Sequence, residues 1–238
     1  MAHHLRLGTM VITVVRKDIK NVHLSVMPPD GEVRISAPRR MNMDAIRLFA
    51  ISKLPWIKQH QQKLREQERE PPRDYVDRES HYVWGRRYLL EVREAHSPPQ
   101  ITLKPRTLVL TIRPGTSTAK RHEILEAWYR RELKAAAAPI IARWEQRLGL
   151  RVAHVFVQRM KTKWGSANPR KRHIRLNTEL AKKPPECLDY IILHEMLHFL
   201  VPNHSDAFIT LLDRHAPGWR LVKQRLNDTP LGHVQWAA

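Results

Sequence analysis

The chain contains only one cysteine, Cys187, which excludes an internal disulfide and is typical of a protein kept in a reducing compartment. It has no run of about 18 apolar residues, the length that a membrane-spanning helix needs. Residues 1–10 include no apolar segment followed by small residues, so we expect no secretory signal. These absences predict a cytoplasmic protein that has no contact with a membrane.

Acidic residues are scarce, since 23 Asp and Glu stand against 42 Lys and Arg, a formal net charge of +19. A field of this sign attracts polyanions, so a nucleic acid, a nucleotide or an acidic protein is a candidate partner. A generally basic composition that favours solubility is the alternative explanation. Hydrophobic residues make up 42% of the 238 residues, which excludes a disordered chain.

The first part of the chain is predicted to be rich in strands. Residues 11–15, 22–26 and 33–36 are β-branched segments, and a helical pattern begins at Asn42, with Pro55 as a candidate interruption. Residues 65–74 are charged and proline-rich, which is typical of an exposed linker.

The same order then recurs. Residues 88–92, 101–103 and 108–112 read as strands, and a long helix that Pro139 kinks or splits begins near Thr118. This recurrence hints at an internal duplication. We predict two domains, a strand-rich part with one helix at 1–117 and a catalytic part at 118–238.

In the third stretch, residues 152–158 and 173–176 are predicted strands, and residues 161–169 between them form a glycine-containing loop. Pro184 and Pro185 then open a helix that is apolar on most sides.

This apolar helix carries a His-Glu-x-x-His pattern. His194 and His198 are one turn apart, so two imidazoles on the same face can bind one ion. Glu195 is placed to act as the general base that takes a proton from water. Pro202 cannot continue the helix, and His204 follows the resulting turn as a third ligand. Three neutral imidazoles leave an open position, as a catalytic zinc requires.

Other assignments stay open from the residues alone. His204 could be a surface residue, with Asn203, Asp206 or His215 as the replacement ligand. Cys187 is expected to be a small hydrophobic side chain in the first helical turn, and not a ligand.

The motif residues 194–198, followed by Pro202, Asn203, His204, Ser205 and Phe208, resemble the YgjP-like metallopeptidases, relatives of the SprT-like zincins. The segments 163–166 and 174–177 match that family's Trp-Gly-Ser loop and its following strand. The family usually has Cys after Trp-Gly-Ser, whereas this chain has Ala167, which excludes a thiol role there.

The resemblance implies an α+β protein with a zincin-like catalytic part, in which helices pack on a small mixed sheet and one Zn²⁺ binds per chain. It also implies that a substrate chain lies along an edge strand, with residues 173–177 or the Trp164 loop beside the cleft. Candidate substrate-binding residues are Lys163, Trp164, Arg175 and Asn203.

Three functions follow as hypotheses. The first is a zinc metallopeptidase in which Glu195 activates water; the resemblance to SprT-like relatives makes DNA-bound proteins candidate substrates. The second, implied by the resemblance, is a metal-dependent nucleoside triphosphate (UTP) pyrophosphohydrolase, for which the basic residues of 161–175 suit phosphates. The third is a nucleic-acid-associated protein with a structural zinc. Three His with an adjacent Glu argue against it, because structural zinc sites are usually closed by Cys.

Overall fold

The structure, a computed structural model, describes residues 2–27, 31–66, 73–160 and 163–228. Its described residues up to Glu66 form one compact unit, and those from Arg73 onward form a second. The predicted linker lies at this boundary, although residues 67–72 are outside the described part. The described ranges contain no helix that is both long enough and apolar enough to cross a bilayer.

The first unit is built from the following elements: β1 (Ala2–Leu7), β2 (Met10–Lys17), β3 (His23–Met27), β4 (Glu32–Pro38), α1 (Met43–Ser52) and α2 (Leu54–Glu66).

The sheet of this unit has the strand order β1-β2-β4-β3. Its core is formed by alternate apolar side chains, among them Ile12 and Ile35, which pack with Ile46 of α1. Asn42 caps α1 by accepting a 2.8 Å hydrogen bond from the Ala45 amide. The predicted helix is in fact two helices, since Pro55 lies in the first turn of α2, where a missing amide hydrogen costs little.

The second unit comprises β5 (Ser80–Val83), β6 (Arg86–Glu94), β7 (Gln100–Leu103), β8 (Thr107–Ile112), α3 (Thr118–Leu148), β9 (His154–Gln158), β10 (Gly165–Asn168), β11 (His173–Asn177), a 3-10 helix (Thr178–Lys182), α4 (Pro185–Leu197), α5 (Asp206–His215) and α6 (Trp219–Asp228).

The four-stranded sheet of the second unit, β5-β6-β8-β7, has the same topology as the sheet of the first unit. In each sheet the two central strands are parallel, and each outer strand is antiparallel to its neighbour. A helix follows each sheet along the chain. This agreement in topology is what the predicted internal duplication requires.

The predicted domain boundary at 117/118 differs from the division in the structure. β5–β8 belong to the same unit as α3 and α4, because side chains of these strands, such as Leu90 and Leu110, share one hydrophobic core with Leu133 and Ile192. Pro139 lies inside α3 and does not split it.

The turn between β5 and β6 holds the segment that leads into α4. The amides of Trp84 and Gly85 donate to the carbonyls of Ala181 and Lys182, at 2.8 and 3.1 Å. Gly85 has a φ of +77°, and a Cβ there would lie 2.9 Å from Pro184, so a larger residue is excluded twice over. The start of α4 is therefore fixed against the sheet.

A separate three-stranded sheet, with the order β10-β11-β9, packs against α4. The sequence predicts a loop over 161–169, but residues 165–168 form β10 and pair with β11 from Gly165↔Leu176 to Asn168↔His173. Residues 161 and 162 lie outside the described part. Of the two segments expected beside the cleft, residues 173–177 form the central strand β11, whereas the Trp164 loop leads into β10 at the edge of the sheet. The protein is α+β, as predicted, with helices on a small mixed sheet around the motif helix.

Candidate metal centre

The motif residues lie at the end of a buried helix. α4 begins at Pro185 and ends at Leu197, and its buried residues include Ile192, Leu193 and Met196. His194 is in its last turn, and His198 is its C-terminal cap. The helix thus ends where Pro202 approaches, and the chain turns back toward His204.

Three imidazoles converge at this helix end. The Nε2 atoms of His194 and His204 are 2.9 Å apart. His198 completes the group, with ring centroids 4.9 Å from His194 and 4.8 Å from His204. One nitrogen of each ring lies within 4.8 Å of the others, a separation that fits ligands of a single ion.

Phe208 of α5 holds the three rings together. It is fully buried, and its centroid lies 5.0, 4.7 and 4.9 Å from those of His194, His198 and His204. The ring of His198 stacks on it at an interplanar angle of 29°. α5 therefore serves as the floor of the histidine cluster.

The tautomer of His198 follows from its backbone contact. Its Nδ1 lies 3.2 Å from the carbonyl oxygen of Val201, which can only accept, so Nδ1 carries the hydrogen. Nε2 is then an unprotonated donor of a lone pair, as a metal ligand must be.

Two of the three histidines, His194 and His198, are also held neutral. Burial, with smaller effects from His198 and His204, lowers the pKa of His194 to about 3. Burial likewise lowers the pKa of His198, against the opposing hydrogen bond to Val201. Three imidazoles with converging nitrogens suit a divalent cation of the zinc type.

Glu195 lies beside this cluster, on the side of β10. It is 5% exposed, and burial raises its pKa to about 7, while the charge of Lys163 opposes the rise. A Cβ on Gly165 would lie 2.7 Å from Glu195 Oε1, so strand and carboxylate are in direct contact only because residue 165 is glycine. A carboxyl group with a pKa near neutrality is suited to proton transfer.

The segment that carries Lys163 is fixed by Asn177. The buried amide of Asn177 donates to the carbonyls of Met160 and Lys163, at 2.9 and 2.8 Å. Its Oδ1 accepts from the amides of Met160 and Glu179, at 3.3 and 3.2 Å. One side chain thus satisfies four backbone groups around this segment.

The other predicted substrate-binding residues lie in different places. Trp164 is partly buried, with the ammonium of Lys183 5.5 Å from its ring centroid. Asn203 is exposed in the turn before His204. Arg175 is not brought to the centre, because it lies on the outer face of the sheet, with its guanidinium 5.6 Å from the ring of Phe156.

The alternative third ligands are also separated from the cluster. His215 lies at the end of α5, with its ring against Trp144 at 6.1 Å. Asp206 begins α5 and is not part of the cluster of ligand atoms. Cys187 is fully buried, and burial raises its pKa to about 11, which fits an apolar packing role.

The sequence reasoning assigned no role to three residues beside the centre. Gly165 and Asn177 were noted only as parts of a resemblance. Tyr190, whose pKa burial and the charge of Glu195 raise to about 12, packs edge-on against His194 at 5.8 Å. Its position one turn before His194 was the available signal.

Comparison with known proteins adds one strong match. A model of the family described as YgjP-like, metallopeptidase domain, matches residues 20–229. Among solved structures, the chain is similar to the metallopeptidase zymogen abylysin of Pyrococcus abyssi, with 19% identity and a TM-score of 0.35, over 38% of this chain and 90% of that chain. It is also similar to the zymogen jannalysin of Methanocaldococcus jannaschii, with 23% identity and a TM-score of 0.33, over 40% of this chain and 86% of that chain. No curated protein matches the chain in sequence.

Proposed function

Because the chain belongs to the YgjP-like metallopeptidase family, we propose that it is a zinc-dependent peptidase whose general base is Glu195. The observation that carries the proposal is the convergence of three imidazoles at the end of α4, with the buried carboxyl group of Glu195 next to His194 in the same helix. A structural zinc needs no such neighbour, and it is usually enclosed by cysteine thiolates.

His194, His198 and His204 would hold one zinc ion through their converging nitrogens. When bound, zinc supplies Lewis-acid chemistry, polarising a carbonyl group and lowering the pKa of water. Phe208 fixes the three rings relative to one another, and the Val201 carbonyl keeps the Nδ1 hydrogen of His198 away from the ligand position. These contacts would prepare the ligands before the ion arrives.

Glu195 would take the proton from the attacking water on a carboxylate oxygen and deliver it to the leaving amine. A pKa near 7 suits both transfers, because the group then gains and loses a proton at small cost. The ammonium of Lys163 would keep part of the population ionised, since its charge lowers this pKa.

The edge strand β10 would align the substrate. Among the strands in the described part of the chain, β10 pairs with β11 alone, and its first residue, Gly165, touches Glu195. An extended peptide added along this edge would bring a scissile carbonyl beside the base and the histidine cluster.

The alternative of a nucleotide pyrophosphohydrolase has less support. It needs cations around the metal, yet Arg175 lies on the outer face of the sheet. Among the described basic residues of this segment, Lys163 is the one whose charge acts on Glu195 and His198. A panel of nucleoside triphosphates with a pyrophosphate assay tests this alternative, and zinc-dependent release that exceeds peptide hydrolysis would replace our proposal with it.

The decisive experiment compares Glu195→Gln with Glu186→Gln, a half-buried carboxylate on the same helix that pairs with Arg225. Both variants are loaded with zinc and incubated with unfolded, fluorescently labelled casein. We expect Glu195→Gln to lose about 100-fold or more in rate with an unchanged zinc content, because a general base contributes roughly 10²–10⁴. Glu186→Gln should retain the activity of the wild type. Equal cleavage by the two variants would refute the assignment of the base.

A further inference from the structure

The outer face of the three-stranded sheet carries a cluster of rings that the proposed function does not use. Ile174 and Leu176 of β11 are fully buried on the inner face, so alternate residues of these strands point outward. On that outer face Phe156 is 36% exposed. His154 lies 4.3 Å from its ring centroid, and His173 lies 5.5 Å from it.

The surroundings of this cluster are basic without interruption. Between Glu145 and Glu179 the sequence has no acidic residue, and it has nine Lys and Arg. Arg170, Lys171 and Arg172 are exposed in the turn between β10 and β11. Arg175, directly across from Phe156 in the strand register, has its guanidinium 5.6 Å from the ring. Arg175 and the basic turn before His173 thus place positive charge beside one exposed aromatic ring.

We propose that this face, defined by His154, Phe156, His173 and Arg175, binds single-stranded nucleic acid. An exposed ring on a sheet offers a stacking surface to a base, and guanidinium and ammonium groups beside it pair with phosphates. The bases of a duplex are stacked on one another, so their faces are not available to Phe156. The chemistry therefore favours a single strand over a duplex. It also favours nucleic acid over an acidic protein, because a base can stack on the Phe156 ring.

This face is separate from the histidine cluster. Phe156 and His154 are on β9, whereas Glu195 touches β10 at the other edge of the sheet. Nucleic acid bound here would leave the edge of β10 open. The inference does not depend on the peptidase proposal, because it rests on the outer face alone.

The test measures the fluorescence anisotropy of the full chain with labelled 15-nucleotide oligo-dT and oligo-U and with a 15-base-pair duplex. Phe156→Ala should weaken single-strand binding by roughly 5- to 150-fold, the range for loss of one stacked base. Phe156→Leu, which keeps apolar bulk but no ring, should be weakened similarly, and Phe156→Trp should bind as the wild type does. Leu103→Ala, an exposed apolar residue on β7, is the matched control and should not change binding.

A salt titration gives a second readout. The slope of log K against log salt should fall by about 0.7 for each phosphate-pairing cation removed, for example in Arg175→Gln. The oligo-dT and oligo-U arms show which sugar is preferred, and binding of either supports the proposal.

Three results would overturn it. One is unchanged affinity in both Phe156→Ala and Phe156→Leu, which would mean binding by net charge alone. Another is tighter binding of the duplex than of the single strands, or no binding of any of them. The third is displacement of the oligonucleotide by polyglutamate of the same charge as readily as by unlabelled oligo-dT.

Discussion

The contact between Gly165 and Glu195 offers the sharpest test of the geometry, through the substitution Gly165→Ala. A Cβ at this position would lie 2.7 Å from Oε1, 2.9 Å from Cγ and 3.0 Å from Cδ of Glu195. An ordinary contact begins at 3.4 Å, so the carboxyl group or β10 must move by the difference, 0.7 Å. The backbone of Gly165 does not have a positive φ, so the methyl group is the only source of strain.

Two magnitudes follow from this displacement. Overpacking of a buried site costs about 1–3 kcal/mol. In a unit of this size that corresponds to a fall in Tm of roughly 2–12 °C. A misplacement of about 1 Å costs roughly 100-fold in rate, so a smaller shift of the base should reduce kcat/KM by about 10- to 100-fold.

The assay pairs thermal denaturation with casein hydrolysis by zinc-loaded protein, and Ser166→Ala on the opposite face of β10 is the control. Zinc content should not change in Gly165→Ala, because the methyl group meets the base and not the histidines. Wild-type stability together with wild-type activity in Gly165→Ala would show that β10 does not touch Glu195, and the proposed position of the base would be abandoned.

Three further predictions concern the surroundings of the centre. Asn177→Ala leaves buried backbone groups without partners and should lower the free energy of unfolding in urea by about 1–3 kcal/mol. A comparable loss in Asn168→Ala, at the exposed end of β10, would contradict this role. Phe208→Ala should lower the free energy of unfolding by about 3–5 kcal/mol and weaken zinc binding, measured by calorimetry, by about 10-fold or more. Phe156→Ala removes an exposed ring and should change neither quantity. Cys187, whose pKa rises from 9.0 in the unfolded chain to about 11, should not react with a disulfide reagent at pH 8 until the protein unfolds. Rapid labelling of Cys187 in the native protein would contradict this expectation. Because the pKa of the thiol is higher in the folded protein, the neutral thiol stabilises the fold below pH 9, and this contribution is lost as the pH rises toward 11.

The helices and the histidine spacing were accessible from the sequence because both depend on local periodicity. His194 and His198 share a face whenever their segment is helical, and the helix starts at Pro185 close to where the prolines predict it. The turn at Pro202 then brings His204 back toward them. These steps need no information about distant parts of the chain.

The strand arrangement depends on partners that the sequence does not name. β10 contains Gly165 and Asn168, which have low strand propensity, and it forms because β11 offers a register of pairs. The role of Arg175 depends on which side of β11 faces α4. A shift of the strand register by one residue would move Arg175 to the other face of the sheet, so its charge alone could not predict whether it lies near the metal centre.

The boundary between the two units is set by which side chains pack together, and composition alone did not locate it. Charged and proline-rich residues near position 70 marked a linker, yet the order strand, strand, helix suggested a boundary before Thr118. Only the shared core of Leu110, Leu133 and Ile192 shows that β5–β8 belong with the motif helix.

The position of the C-terminus of α4, at Leu197, affects how strongly the histidines would bind a cation. Backbone dipoles align along a helix and place a partial negative charge of roughly half a unit at its C-terminus. His198 caps that terminus, and His194 lies in the last turn. Imidazole ligands carry no negative charge to compensate a divalent cation, but here the negative pole of a helix of 13 residues lies at the histidines that would hold it. The helix would therefore raise the affinity for a cation in a protein whose overall field repels one.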